Sequence, residues 1–352
     1  MKKTLPMIYA LLAALLFGIN APLSKLLVGK IPPLFLASLL YLGAGLGMLA
    51  VDGVRRLAGK KSGEARLSRK DLPYVALMIL LDILAPIFLL LGLEQTDSGI
   101  AALLGNFEIA ATALVAMVFF REAIGKRLWI AIVLIFVASS LLSVQSVGTL
   151  HLSAGALLVL LACLCWGLEN NCTRQLSLKD PLQVVIIKGF GSGLGALLIA
   201  AAWGEIYAEP LYIMLAMLLG FVAFGLSIFF YVSAQRTLGA ARTSTYYAAA
   251  PFMGVVLSWV LLREPISPTF MIALAIMLLG TIFAVSEKHR HAHVHSEVTH
   301  EHRHSHEDGH HAHRHPAGME PLPEEEHNHM HIHPVMSHIH AHLPDEHHRH
   351  TH

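Results

Sequence analysis

Carboxylates and amides lie inside hydrophobic runs that are long enough to cross a lipid bilayer. Glu169 and Asn170 are near the end of the run 152–176, and Asp82 and Glu108 lie in two earlier runs. A carboxylate at the centre of a membrane helix costs roughly 2.5–3.5 kcal/mol on insertion scales, so such groups usually face a water-filled pathway. The pattern therefore indicates a polar pathway through a membrane, whose chemistry is the binding of a solute or a proton.

We expect this pathway to contain a proton-coupling carboxyl, either Glu108 or Glu169. Burial favours the protonated form of a carboxyl, and a proton carrier must load and release its proton near neutral pH. The full set of predicted pathway residues is Asn20, Asp82, Glu108, Glu169, Asn170, Arg242 and Tyr246.

A structural role is the alternative for each of these side chains. The carboxyls could be protonated, or paired with a cation such as Lys188 in the seventh apolar run, and could lock helices together. Asn20 and Asn170 could hydrogen-bond between helices, and Arg242 could anchor its helix at the membrane interface.

The elements that must position these residues are apolar segments. The 352-residue chain is 55% hydrophobic and only 14% charged, which excludes a soluble globular domain and is typical of a polytopic membrane protein. Ten apolar runs fall near residues 5–28, 32–54, 72–94, 98–120, 127–146, 152–176, 182–203, 210–235, 239–262 and 267–286. Each is close to the roughly 20 residues that a membrane helix needs.

The first five runs are repeated by the second five. FGINAPLSK at 17–25 returns as WGLENNCTR at 166–174, GAGLG at 43–47 as GSGLG at 191–195, and FFREAI at 119–124 as LLREPI at 261–266. Three matches in one order predict a duplicated bundle. The predicted domains are a first five-helix repeat at 5–146, a second at 152–286 and a tail at 287–352.

The distribution of Lys and Arg among the short loops predicts the orientation. With the N-terminus in the cytoplasm, sixteen basic residues fall inside and three, Lys25, Lys30 and Arg263, fall outside. Both termini are then cytoplasmic, and a repeat of five spans is inverted relative to its twin. The predicted fold is an all-α membrane protein of ten transmembrane helices in two inverted five-helix repeats, followed by a disordered tail, in the cell (inner) membrane.

The paired halves, the FG/WG signature in the first helix of each and the Arg-Glu pair that closes the fourth resemble the EamA family of the drug/metabolite transporter (DMT) superfamily. The resemblance covers about residues 5–286. It implies a ten-helix permease with a central cavity between the halves, which commonly exports small metabolites and is often driven by protons. Family members often carry Arg in the second helix of a half, where this chain has Leu40 or Tyr41.

The tail is of a different composition. Of 24 histidines, only His151 lies before residue 289, and most of the others alternate as His-x-His with few apolar residues between them. Such a segment cannot build a core, so we expect it to be disordered when free. Imidazole suits Zn, Ni and Co. The predicted metal ligands are His289, His291, His293, His295, His300, His302, His304, His306, His310, His311, His313, His315, His327, His329, His331 and His333.

Three hypotheses of different class follow. The bundle moves a small metabolite or drug-like solute, with proton-coupled export preferred, and the tail binds metal in the cytoplasm. Alternatively the bundle transports Zn, Ni or Co that the tail collects, or the protein senses metal without transport. The first is favoured because the apolar runs contain no histidine. We expect no enzymatic activity, no required cofactor and no nucleic-acid partner; the partners are lipid, the solute and tail-bound metal ions, and the oligomeric state stays open.

Overall fold

The structure is a computed structural model. It describes residues 4–58, 67–120, 124–146, 151–174, 176, 179–238, 243, 246–286, 289–295, 298–304, 327–333 and 336–342. Within these ranges, nine helices are long and apolar enough to cross a membrane, and Ala250–Leu262 is a shorter apolar helix. The protein is therefore an all-α integral membrane protein.

The first half contains seven helices that form its five spans. They are α1 (Thr4–Gly18), α2 (Asn20–Val28), α3 (Pro33–Leu57), α4 (Leu72–Gln95), α5 (Ser98–Leu104), α6 (Phe107–Phe120) and α7 (Lys126–Ser143). The first span is broken at Ile19 between α1 and α2, and the fourth is broken between α5 and α6. A single 3₁₀ turn, Arg69–Asp71, precedes α4.

The second half repeats this order. It comprises α8 (Ala154–Arg174), α9 (Pro181–Ala202), α10 (Pro210–Gly220), a π-helical segment (Phe221–Leu226), α11 (Ser227–Leu238), α12 (Ala250–Leu262) and α13 (Pro268–Val285). A short antiparallel pair, β1 (Val144–Ser146) with β2 (His151–Leu152), joins the two halves. The predicted ninth span, 239–262, is described as α12, and most of 239–245 lies outside the described residues.

The two halves pack symmetrically, the second spans against each other and the first span of each half against the third span of the other. α3 lies along α9, α4 along α8 and α1 along α11. The repeated glycine runs meet here, because a Cβ added to Gly45 would lie 3.1 Å from the backbone nitrogen of Phe190, and one added to Gly193 would lie 2.8 Å from that of Leu42. Small residues allow membrane helices to approach this closely, so the glycines bring the two repeats into backbone contact.

Part of the tail is built as strands. β3 (His289–His295) pairs antiparallel with β6 (Met336–His342), and β4 (Val298–His304) pairs with β5 (His327–His333). These strands cover only part of residues 287–352, and disorder of the free tail stays a prediction. The His-x-His alternation has the two-residue period of a strand, which is the physical reason that this sequence can pair in this way.

Candidate functional site

A cavity of about 130 Å³ lies between the two halves. Its walls come mainly from the first and fourth spans of both repeats, with Leu89 added from α4. The lining residues are Phe17, Gly18, Asn20, Ala21, Leu89, Ala101, Ala102, Gly105, Asn106, Glu108, Ile109, Val159, Cys163, Trp166, Tyr247, Ala248, Ala250 and Pro251. Equivalent helices of two inverted repeats therefore surround one apolar space that has a few polar side chains.

Glu108 supplies the carboxylate of this cavity. It lies in the first turn of α6, immediately after the break that separates α5 from α6. Asn170 Nδ2 on α8 donates to Glu108 Oε1 at 2.7 Å and also lies 3.3 Å from Thr112 Oγ1. Asn20 is buried, and its Oδ1 accepts a hydrogen bond from Ser24 at 3.1 Å. The cavity can thus bind a solute through one acid and one or more amides.

A second polar cluster joins α3, α4, α8 and α9. Lys188 Nζ lies 3.1 Å from Asp82 Oδ2 and 3.1 Å from Glu169 Oε1. The Tyr41 hydroxyl donates to Asp82 Oδ1 at 2.9 Å, and the Thr173 hydroxyl donates to Glu169 Oε1. Asp82 and Glu169 are both buried. The cluster contains two carboxyls and one ammonium, and its three charged residues do not line the cavity.

A third polar cluster lies at the predicted outer end of the bundle. Glu264 Oε1 accepts hydrogen bonds from the Ser98 backbone nitrogen at 2.8 Å and the Ser98 hydroxyl at 2.7 Å, and Glu264 Oε2 accepts one from the Gly99 nitrogen at 2.8 Å. Lys25 Nζ donates to the carbonyls of Thr96 at 2.8 Å and of Leu93. An acid therefore binds the N-terminus of α5, and a cation binds the C-terminus of α4, as the helix dipoles favour.

Asp97 lies between these two helices, outside the membrane-spanning segments. Burial raises the pKa of the Asp97 carboxyl, the nearby Glu264 carboxylate raises it further, and Lys25 opposes both effects. The outer cluster consequently has a net excess of acid close to Asp97.

The predicted pathway residues divide into two places. Asn20 and Glu108 line the cavity, and Asn170 contacts Glu108. Asp82 and Glu169 lie instead in the cluster with Lys188, which is the ion pair that the sequence left open as the alternative. Tyr246 does not line the cavity, and the adjacent Tyr247 does.

The remaining predictions fall where the structure describes little. Arg242 lies outside the described residues. For the tail histidines, the backbone is described only within β3–β6, and their side chains lie outside what is described. Metal binding by the tail stays a prediction.

Three contributors were missed by sequence reasoning: Tyr41, Thr112 and Glu264. Tyr41 lies within an apolar run and gave no signal of its own. Glu264 had a signal, because it belongs to the repeated Arg-Glu pair, but that pair was used only to align the two halves.

Comparison with known proteins agrees with this architecture. The model of the EamA-like transporter family matches residues 4–144 and again residues 153–286. An uncharacterized transporter of Methanothermobacter thermautotrophicus is 29% identical over 284 residues, which cover 76% of this chain and 82% of that protein. A crystal structure of a further protein has a TM-score of 0.58 at 17% identity, covers 80% of this chain and 96% of that chain, and shows the fold alone.

Proposed function

Because this chain belongs to the EamA-like transporter family, we propose that it exports a small organic solute from the cytoplasm in exchange for protons. It is a multi-pass membrane transporter, and the family and the relative point to transport rather than to catalysis. The parts that we propose are the solute, the proton coupling, the direction of transport, the location in the inner membrane with both termini cytoplasmic, and the role of the tail.

The observation that carries this proposal is the cavity at the junction of the repeats. The first spans of both halves contribute Phe17, Asn20 and Trp166, and the fourth spans contribute Glu108 and Tyr247. Inverted-repeat transporters bind solute near the bilayer midplane at such a junction, and rocking of one repeat against the other exposes it to each side in turn.

The walls of the cavity favour a small solute with an apolar part. An engineered protein cavity of roughly 150 Å³ binds benzene, so a volume of about 130 Å³ accommodates a fragment of comparable size. Phe17, Trp166 and Tyr247 supply aromatic surface, and Asn20 and Glu108 supply polar contacts. This combination is typical of sites for small organic molecules.

We propose that the tail binds Zn, Ni or Co in the cytoplasm as a sensor or a buffer and that these ions are not the cargo. Their preferred ligands include imidazole, and the lining residues listed above include no histidine. Cys163 and Glu108 are the cavity residues that could ligate such a metal, and two ligands do not make the tetrahedral set that zinc prefers.

Flux through liposomes that contain the purified full-length protein tests this function. With a pH gradient imposed, we expect uptake or release of members of a panel of amino acids and small aromatic metabolites, and no flux of Zn, Ni or Co. The Glu108→Gln variant should lose at least about tenfold in flux, because it removes the charged contact between the cavity and the solute. A loss of about 1.4 kcal/mol in that contact corresponds to a factor of ten.

A variant lacking residues 289–352 separates the tail from the transport pathway. We expect it to keep solute flux and to lose zinc binding measured by calorimetry. Metal flux that survives removal of the tail would contradict the proposal and would support a metal transporter. The Asp52→Asn variant is the matched control for Glu108→Gln, because Asp52 forms an ion pair with Arg56 one turn away in α3 and does not line the cavity.

A further inference from the structure

We propose that the cluster of Asp82, Lys188 and Glu169 stores one exchangeable proton and that this proton, held away from the cavity, is the one coupled to transport. This inference rests on the proposed proton-coupled export and assigns its proton to a site other than Glu108. The geometry that leads to it is the sharing of one ammonium by two buried carboxyls, each 3.1 Å from Lys188 Nζ.

The charge balance of the cluster requires a proton. With all three groups ionised, the cluster carries a net charge of −1 in a buried region, and an unbalanced buried charge is strongly unfavourable. One proton on either carboxyl makes the cluster neutral. Loading forms one O–H bond on a carboxylate oxygen, and release breaks that bond and gives the proton to water, so no further reactant is needed.

The hydrogen bonds indicate which carboxyl carries the proton. The Tyr41 hydroxyl donates to Asp82 Oδ1, whereas Asp82 Oδ2 lies 3.1 Å from Lys188 Nζ but is a buried oxygen with no hydrogen-bond partner among the described residues. Glu169 Oε1 faces the Lys188 ammonium and accepts a hydrogen bond from the Thr173 hydroxyl. Asp82 is therefore the carboxyl of the cluster whose hydrogen bonds are incomplete, which makes it the position for the proton.

The cluster is not sealed from its surroundings. The side chain of Lys188 keeps 14% of its surface accessible, whereas that of Asp82 is fully buried. The other titratable groups that interact with the cluster are Tyr41 on α3, Glu108 on α6, and Cys165 and Cys172 on α8. Within the described part of the chain, Lys188 is the cation that faces Asp82 and Glu169.

Helix α8 connects the proton to the solute. Glu169 faces the cluster, and the next residue, Asn170, donates to Glu108 at the cavity. The cluster also joins the two repeats, since Asp82 belongs to the first and Glu169 and Lys188 to the second. Loss or gain of the proton changes the strength of ion pairing across this junction, and α8 transmits the change to Glu108.

Infrared spectroscopy tests the proton site without any solute. In the purified full-length protein we expect a protonated-carboxyl C=O stretching band that disappears as the pH is raised. Glu169→Gln and Asp82→Asn should each lose this band, because Lys188 and one carboxylate are then already neutral as a pair. Glu108→Gln should retain it. Asp71→Asn is the matched control, since Asp71 pairs with Lys179 across the same two repeats at 3.2 Å.

The outcomes separate this inference from the proposed function. A band that persists in Glu169→Gln and Asp82→Asn but disappears in Glu108→Gln would overturn the inference. Proton-driven solute flux that is unchanged in Glu169→Gln and in Asp82→Asn would also overturn it, while proton-coupled export itself would stand. Both variants keep the cluster neutral. Lys188→Arg keeps the cation, so it should retain the band, and its folding is the control for a substitution within the cluster.

Discussion

Glu264 and Glu169 are two buried or half-buried glutamates with opposite surroundings. Glu264 accepts three hydrogen bonds at the N-terminus of α5, two of them from backbone N–H groups. Glu169 competes with Asp82 for one ammonium. Glu264 is stabilised by donors that are fixed in the backbone and in Ser98, and Glu169 is stabilised by an ammonium that also pairs with Asp82.

This difference in hydrogen-bond partners separates a structural acid from a functional acid in a membrane protein. The Glu264 carboxylate accepts hydrogen bonds that hold two segments of the chain together, so its loss should affect stability alone. Glu169 and Asp82 share one cation, so a proton on either carboxyl removes the excess negative charge of their cluster.

The largest expected effect comes from Lys188→Met. This change leaves Asp82 and Glu169 buried without their cation, and breaking a buried ion pair in this way costs about 3–5 kcal/mol. We expect a corresponding loss of the free energy of unfolding, measured by thermal and detergent-induced unfolding of the purified protein.

Two further variants isolate the cause of that loss. The triple variant Asp82→Asn, Glu169→Gln, Lys188→Met should recover most of the stability, because no charge is then left unpaired. Lys179→Met should cost only about 0–1 kcal/mol, since Asp71 keeps its hydrogen bonds from the Ser68 nitrogen and hydroxyl. Equal losses for Lys188→Met and Lys179→Met would contradict the comparison.

Glu264→Ala should have the second largest effect. Hydrogen bonds to a charged group contribute about 1.5–3 kcal/mol, and the N-terminus of α5 would lose its cap. We expect a loss of stability in this range with the pH-dependent carboxyl band unchanged. A loss of that band in Glu264→Ala would show that the outer acid also takes part in proton exchange.

Asp97→Asn should have the smallest effect and the opposite sign. Because the pKa of Asp97 is raised on folding, the ionised carboxyl costs stability above that pKa, and the cost disappears as the pH falls below the ordinary range of an aspartate. The variant should therefore be more stable than the parent at neutral pH, by less than about 1 kcal/mol after solvent screening. The gain should shrink toward acidic pH, which melting temperatures across a pH series would measure.

Much of the fold follows from the sequence because its signals are long and repeated. Nine of the ten apolar runs match described spans to within a few residues, the ninth run being described as a helix only from Ala250, and Gly45 and Gly193 of the repeated glycine runs lie where α3 and α9 meet. Glu108 was predicted as a pathway acid, and it lines the cavity. Its part in a transport pathway stays a prediction.

The positions that the sequence did not specify depend on helix rotation and pairing. Glu169 and Asn170 are neighbours in the chain, but on a helix they differ by about 100° and reach different partners. Tyr41 lies in an apolar run, and only the packing of α3 beside α4 shows that its hydroxyl reaches Asp82. Capping by Glu264 likewise required the contact between two distant segments of the chain.

Gly167 lies one turn before Asn171 on α8, where the backbone touches α6. A Cβ placed there would be 2.7 Å from that of Ala111 and 2.9 Å from the Thr112 nitrogen. Because any side chain at position 167 would push α8 away from α6, this glycine keeps Asn170 within hydrogen-bond reach of Glu108.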